Sequence, residues 1–493
     1  VIAATLLAGA LSAAGPVVAT DDGPVRGQAI PGGGGVFRGI RFAKPPVGPL
    51  RWRAPERPVP WRQPVDAITE HAACPQPVYG DWNRAASGAG AEDCLFLDVR
   101  TPMLRTGAKL PVMVWIHGGG NRAGAGSGTV ESRITDRGIV VVSIQYRLGA
   151  LGFLSHPALS REQGGHSGNY ALMDQQLALS WVQRNIAAFG GDPARVTIAG
   201  ESAGAQDVAL HQLAPASRGL FAQAIQESGT AGFGVPPRSL AQNERLGMLI
   251  TAKAGLAAAS GTAALRQLPV GRIIAAQEAV DVPDLDDDSF IWLQAVVDGR
   301  VLRDTPARLL ESGRVNAVPL LIGMNARELT LHGGRPAAVA TIRREFGNNA
   351  DAALAFYGLQ PGGTPVDDPR LGDVTLQLAD DLTFRCPTIA TSVALSARGA
   401  PIWQYQFDYT PPSGSAVSHA SEVRYVFDRS RTGEPPLQDY WVRFVKTGDP
   451  NGTGLPAWPA FTRARPAYLG FGNAGPVAGK GLRASICRLR DVP

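Results

Sequence analysis

Cysteine and methionine are scarce in this 493-residue chain, at 4 and 5 residues, and aromatics make up only 7% of it. No Cys-x-x-Cys occurs, and no histidine stands at zinc-ligand spacing, so the sequence carries no metal-site pattern. There is no block of Lys and Arg, and no basic stripe interleaved with aromatics. The formal net charge of +5, from 47 basic and 42 acidic side chains, therefore reads as a mildly basic solvated surface rather than a nucleic-acid footprint. Beyond the first 19 residues no uninterrupted apolar run reaches the roughly 20 residues that span a bilayer. No linker or internal repeat divides the chain.

What is present begins with VIAATLLAGALSAAGPVVA. This stretch has the small-residue, apolar character of a secretory signal, without a starting Met or a basic n-region, and its cleavage position is expected near Ala14 or Ala19. Gly9, Gly15 and Pro16 interrupt it and argue against a stable membrane anchor. The expectation is removal of residues 1–19, one catalytic domain over 20–493, and a secreted or periplasmic protein. Glycine (59) and proline (39) make up about a fifth of the chain, below the roughly 25–30% that marks low complexity, so they read as turns and loops. Four cysteines in an exported chain suggest disulfides. The four, Cys74, Cys94, Cys386 and Cys487, allow three pairings; spacing admits Cys74–Cys94 with Cys386–Cys487.

Short strands are expected over 24–42, around a glycine-rich turn. Further strands are expected at 95–101, 110–116, 139–146, 195–199, 319–323 and 402–408. The run LPVMVWI (110–116) is almost continuously apolar, as in a strand covered on both faces. Residues 170–189 place apolar side chains at helical spacing, and Gly190-Gly191-Asp192 stops that helix. Residues 235–290 and 331–390 read as mainly helical. The fold expected is α/β, a large mostly parallel sheet with helices on both faces and helical insertions. The acidic patch DLDDD (284–288) lacks EF-hand spacing and reads as a solvated loop. Asn451-Gly452-Thr453 matches a glycosylation sequon.

Gly200-Glu201-Ser202-Ala203-Gly204 is the only G-x-S-x-G, and it lies between the strand-like RVTIA and a helical stretch ending near Leu213. A nucleophilic hydroxyl needs such a strand-to-helix turn to lift it out of the sheet, and the glycines permit the tight backbone. His117-Gly118-Gly119-Gly120 follows the strand VMVWI. Bare backbone there can meet the oxyanion of a tetrahedral intermediate, with N–H donors expected from Gly119, Gly120 and Ala203. No G-K-[ST] follows, which disfavours a phosphate cradle.

A serine nucleophile needs a base, and the base an orienting carboxylate, in the chain order Ser, acid, His. Only His211, His332 and His419 follow Ser202. His211 lies on the helix leaving the serine, too far along one rod to turn back. His332 sits in a polar, glycine-containing stretch and reads as a surface residue. His419, in a serine-rich loop after the late strand IWQYQFD, remains as the base. Glu328, just past the strand PLLIG, is the favoured acid; Asp298 and Glu311 stay as competitors on these grounds.

The blocks EDCLFLDV (92–99), VMVWIHGGG (112–120), YRLGALGFLS (146–155), 168–205, AIQESGT (224–230), FVKTGDPNG (444–452) and WPAF (458–461) resemble the type-B carboxylesterases and lipases, a family that includes cholinesterases. The resemblance implies the α/β-hydrolase fold and a triad on Ser202, Glu328 and His419. It further implies an oxyanion hole at Gly119, Gly120 and Ala203, and disulfides Cys74–Cys94 and Cys386–Cys487. It assigns Ser228 to support of the acid and Glu201 to a buried carboxylate beside the nucleophile. Three positions depart from the family pattern. Asn121 follows HGGG in place of an aromatic, which points to a reshaped acyl pocket. Leu329 follows the acid in place of Gly, and His419-Ala420-Ser421-Glu422 replaces H-G-A-E.

The expected activity is cofactor-free hydrolysis of a small carboxylic ester through an acyl-enzyme; the oligomeric state stays open. The rivals are a lipase, a cholinesterase-like esterase and a non-catalytic adhesion module. Trp82 is the one aromatic that offers a face to a quaternary ammonium, and its expected role is structural packing.

Overall fold

The computed structural model describes residues 15–280, 295–412, 414 and 416–490. DLDDD lies outside them, as do residues 1–14 of the expected signal.

The strand-like runs assemble into one 11-stranded sheet. Its strands are β1 (Gln28–Ile30), β2 (Gly34–Arg41), β3 (Phe96–Thr101), β4 (Leu110–Ile116), β5 (Val140–Ile144), β6 (Gly191–Glu201), β7 (Gln223–Glu227), β8 (Leu320–Asn325), β9 (Ile402–Phe407), β10 (Ala467–Gly472) and β11 (Gly475–Lys480). Their order across the sheet is β11-β10-β9-β8-β7-β6-β4-β5-β3-β2-β1. The run from β5 through β4 to β10 is parallel, and the strands at both margins are antiparallel.

Period-two alternation divides each central strand between two cores. Val112, Val114 and Ile116 enter one core, with Val140, Val142, Ile198 and Ile322. Met113 and Trp115 enter the other, with Val141, Ile225, Leu321 and Tyr405. Helix α1 (Tyr170–Asn185) covers the first face through Leu172, Leu179 and Val182 and ends in a 3-10 turn over Ile186–Phe189, stopped by Gly190 as expected. Helix α3 (Leu437–Thr447) covers the second face with Tyr440, Trp441 and Phe444, packed against Trp458 and Phe471. Between them in the chain, α2 (Ala203–Leu213) runs directly out of β6.

Three strands carry little sequence signal. In β7 the buried Gln226 and Glu227 break the apolar run; β10 and β11 are glycine-rich. Sheet neighbours, not their own propensity, hold them extended. Val17–Ala19 pairs antiparallel with Pro24–Arg26, so part of the expected leader is a strand. The disulfides are Cys74–Cys94 and Cys386–Cys487, closing separations of 20 and 101 residues. By loop entropy they stabilise the chain by roughly 3 and 5 kcal/mol. Asn451 is engaged at both ends of its amide: Nδ2 donates to Asp449 and to the Trp458 carbonyl, and Oδ1 accepts from the Trp458 N–H. The sequon is thus a turn that pins Trp458 rather than a free acceptor.

Candidate active site

Parallel strands end on one side of the sheet, and the site gathers there. Gly200 pairs with Ile116, Glu201 with Glu227, and Glu227 with Gly323, so the ends of β4, β6, β7 and β8 lie level. Ser202 sits between β6 and α2 at φ 57°, ψ −125°, a strained turn that lifts its side chain off the sheet. Its N–H donates to the Glu227 carbonyl (2.8 Å), and its carbonyl accepts from the Gln206 N–H (3.0 Å). A Cβ on Gly204 would stand 2.0 Å from the Ile116 carbonyl oxygen, which explains why the helix can leave the sheet so closely only with glycine there.

The HGGG loop crosses over this turn. A Cβ on Gly118 would meet the Glu201 carbonyl oxygen at 2.7 Å and Ser202 Cβ at 3.1 Å. Ala203 opens α2, and first-turn N–H groups have no partner within their own helix. The Gly118 backbone and the opening amide of α2 thus lie beside Ser202. Tyr146 holds the loop from below, its ring stacked 4.4 Å from His117 and its hydroxyl donating to the His117 carbonyl (2.6 Å). Asn121 is buried at φ 55°, with Nδ2 donating to Asp207 (3.1 Å). Its side chain is held in the interior among Gln206, Asp207 and Tyr146.

His419 Nε2 lies 2.8 Å from Ser202 Oγ, and His419 Nδ1 lies 2.6 Å from Glu328 Oε2. The other Glu328 oxygen accepts from the Asn325 N–H (2.6 Å) and from Ser228 Oγ (2.7 Å). The competing carboxylates are elsewhere engaged or exposed. Asp298 accepts the N–H groups of Arg300, Val301 and Leu302, and Glu311 is exposed. His211 is buried against Gln175 and Ser217, and His332 is exposed.

Beneath the imidazole lies a group of buried carboxyls that residue patterns did not reveal. Glu422 Oε1 is 3.0 Å from Ser228 Oγ, and its Oε2 accepts from Asn325 Nδ2 (2.6 Å). Glu227 accepts from Trp441 Nε1 (2.8 Å). Burial drives the Glu422 carboxyl up to about 7, with Glu328 adding to it, and raises Glu227 well above the carboxylate range. Ser228 has one hydroxyl proton to offer two carboxyls, those of Glu328 and Glu422. Glu201 Oε1 stands 3.2 Å from His419 Nε2. Burial pushes the Glu201 carboxyl up to about 8 against the pull of His419. Burial lowers the His419 imidazole, but Glu201, Glu328 and Glu422 outweigh it and raise the group to about 10. These titrations are linked: protonating Glu201 removes the largest attraction on the imidazole.

A cavity of about 570 Å³ opens against Gly118, Gly119 and Glu201, with Glu70, His71 and Trp82 among its walls. Trp82 is 64% exposed, which corrects the expectation of a packing role.

The sequence profile of the carboxylesterase family matches residues 14–489. The chain belongs to the carboxylesterase family. It is 33% identical to the para-nitrobenzyl esterase of Bacillus subtilis (strain 168) over 473 residues, covering 90% of this chain and 92% of that one. It is 34% identical to the acylcarnitine hydrolase of Mus musculus over 525 residues, covering 96% and 90%. Among solved structures it is similar to a PNB esterase with a TM-score of 0.81 at 30% identity, covering 96% of this chain and 99% of that one. A carboxylesterase of Geobacillus stearothermophilus gives the same TM-score and the same coverage at 31% identity. This member of the carboxylesterase family has the α/β-hydrolase fold and is a carboxylic-ester hydrolase. The adhesion-module reading is set aside.

Proposed function

We propose that this carboxylesterase works through a Ser202-His419-Glu328 triad and an acyl-enzyme. His419 takes the Ser202 proton as Oγ attacks the ester carbonyl carbon, and Glu328 stabilises the imidazolium. Backbone N–H groups of Gly119, Gly120 and Ala203 receive the oxyanion. His419 returns the proton to the departing alkoxide, which leaves as the alcohol. Water, deprotonated by the same imidazole, then attacks the acyl carbon and releases the carboxylic acid and free Ser202. Ser228 and Glu201 act around this relay, the first on the acid and the second beside the nucleophile. The observation that carries the reading is the hydrogen-bonded line of Oγ, imidazole and carboxylate at 2.8 and 2.6 Å. A fluorophosphonate probe tests it: labelling is expected on the parent chain and lost in Ser202→Ala and His419→Ala. Retained labelling in either would sink it.

We infer that the substrate is a small neutral ester rather than emulsified lipid, in keeping with a relative named for para-nitrobenzyl esters. Short-chain aryl esters should be hydrolysed at least tenfold faster than triglyceride emulsions; the reverse order makes the protein a lipase. One observation favours a second reading: exposed Trp82 shares the cavity with Glu201. An aromatic face and a carboxylate suit a cationic alcohol portion, worth about 0.5–2 kcal/mol. Comparing a choline ester with its uncharged 3,3-dimethylbutyl isostere decides between them.

Export is inferred as well. Two disulfides favour an oxidising compartment, and no helix among the described residues is long and apolar enough to cross a membrane. Pairing of Val17–Ala19 with Pro24–Arg26 favours cleavage near Ala14 over Ala19. N-terminal sequencing of secreted material checks this. Residues 20–493, with the strand Val17–Ala19 paired onto them, are read as one catalytic domain.

A further inference from the structure

We propose that Asp380 is a positioning residue for the Glu328 carboxylate, holding the backbone on which that side chain stands; this rests on the reading of Glu328 as the triad acid. Glu328 and Leu329 leave β8 in an irregular loop. Asp380, at the C-terminal end of the helix Val374–Asp380, is fully buried and takes the N–H groups of both residues, Oδ2 from Glu328 (3.1 Å) and Oδ1 from Leu329 (3.0 Å). Burial pushes the Asp380 carboxyl well above the usual carboxylate range, while Arg385 and the two amides pull it back. A carboxyl group bridging two successive amides fixes the peptide plane between them, so it sets the direction in which the Glu328 side chain leaves the chain.

The other end of the loop is tied to the same place. Arg385 donates to the Ala326 carbonyl at 2.5 Å while lying 3.6 Å from Asp380 and 3.0 Å from Asp381. These groups are brought together by a π-helical turn over Asp381–Arg385, an irregularity often found where a helix serves a site. Asp381 in turn accepts from Tyr357 Oη and Arg483, and Cys386, next after the turn, is bonded to Cys487. The charged and titratable groups acting on Asp380 are Arg385 and Glu328. The loop carrying the acid is braced from both sides by a dry, anchored cluster, although Leu329 itself only packs near Phe233, Met324 and Phe384.

Without the brace, Glu328 Oε2 drifts from its 2.6 Å contact with His419 Nδ1. A displacement of about 1 Å in such a relay lowers rate by up to about 100-fold. Asp380→Ala and the isosteric Asp380→Asn are compared with the parent chain on a short-chain aryl ester. The measurements are kcat, KM, the pH profile of kcat/KM and thermal unfolding. The expected result is a roughly 10- to 100-fold lower kcat for Asp380→Ala, with KM within twofold. The acid limb should move to lower pH as the imidazolium loses its partner, and Asp380→Asn should lie between. Folded variants with the parent kcat and acid limb overturn the proposal. So does a loss that merely follows the unfolded fraction, or failure of both variants to fold, since the residue then serves folding alone. Glu328→Gln separates the two readings: full activity there removes the triad acid itself, whereas an inactive Glu328→Gln beside normal Asp380 variants rejects only the brace.

Discussion

The nucleophile side and the acid-base side of this site are built by opposite means. Around Ser202 the parts in the proposed mechanism are backbone: a strained φ at the serine, the amides proposed at Gly119, Gly120 and Ala203, and glycines where two chains cross closer than a side chain allows. Around His419 the working parts are side chains from distant segments: Glu328, Ser228, Asn325, Glu422 and Asp380, joined by hydrogen bonds in a buried, carboxyl-rich interior. The first side fails by steric collision and takes the fold with it. The second fails by loss of charge or aim, leaving the fold in place. The proposed mechanism needs both because backbone dipoles can receive a negative charge without moving, whereas a proton shuttle requires a titratable group held at a chosen pKa.

The contrast is broken most severely by Gly204→Val. Its Cβ would lie 2.0 Å from the Ile116 carbonyl and 2.9 Å from that of His117. A loss of about 3 kcal/mol or more in urea unfolding is expected, with activity lost in proportion to folding. Activity retained in a fully stable Gly204→Val would show that the crossing has room to spare. On the other side, Ser228→Ala removes the 2.7 Å hydrogen bond to Glu328. It should lower kcat about tenfold, corresponding to about 1.4 kcal/mol, with a melting transition close to the parent's. Equal damage to stability and rate would mean that both sides of the site fail in the same way.

Glu201→Gln probes charge alone. A negative Glu201 favours the imidazolium, so its removal lowers the His419 pKa and makes the base available at lower pH. The acid limb of the kcat/KM profile should move down by about one unit, or about 1.4 kcal/mol of interaction. A limb that stays put or moves up means that Glu201 is already neutral over the range where His419 titrates. The smallest effect expected is from Ala420→Gly. Ala420 has φ 64°, in the left-handed region beside the base. Glycine removes a strain of about 1–2 kcal/mol but frees the unfolded chain, leaving a gain of about 0.5 kcal/mol in equilibrium unfolding.

How readable each side is from sequence follows from the same contrast. Strand parity in VMVWI, the glycine spacing around Ser202 and the stop at Gly190 are short-range facts, and the structure has each where the residues imply. His419 emerges by elimination among three histidines, and Glu328 needed the family resemblance to stand above Asp298 and Glu311. Glu422 lies in a run conspicuous only for departing from H-G-A-E, and Glu227 sits in a strand whose polar residues hide it. Nothing local marks Asp380, or the exposure of Trp82, because each depends on what a distant segment brings against it.

The amino-acid order by itself determined the two-core alternation of the central strands, the sharp turn that carries the serine and the bare amides beside it. These follow from dihedral limits and side-chain period acting over a few residues. Only the tertiary structure decided which carboxyls are dry, which stand beside the imidazole, and which groups hold the backbone that carries Glu328. Desolvation and Coulomb interaction depend on distance through space and on exclusion of water, and neither is written in the separation of residues along a chain.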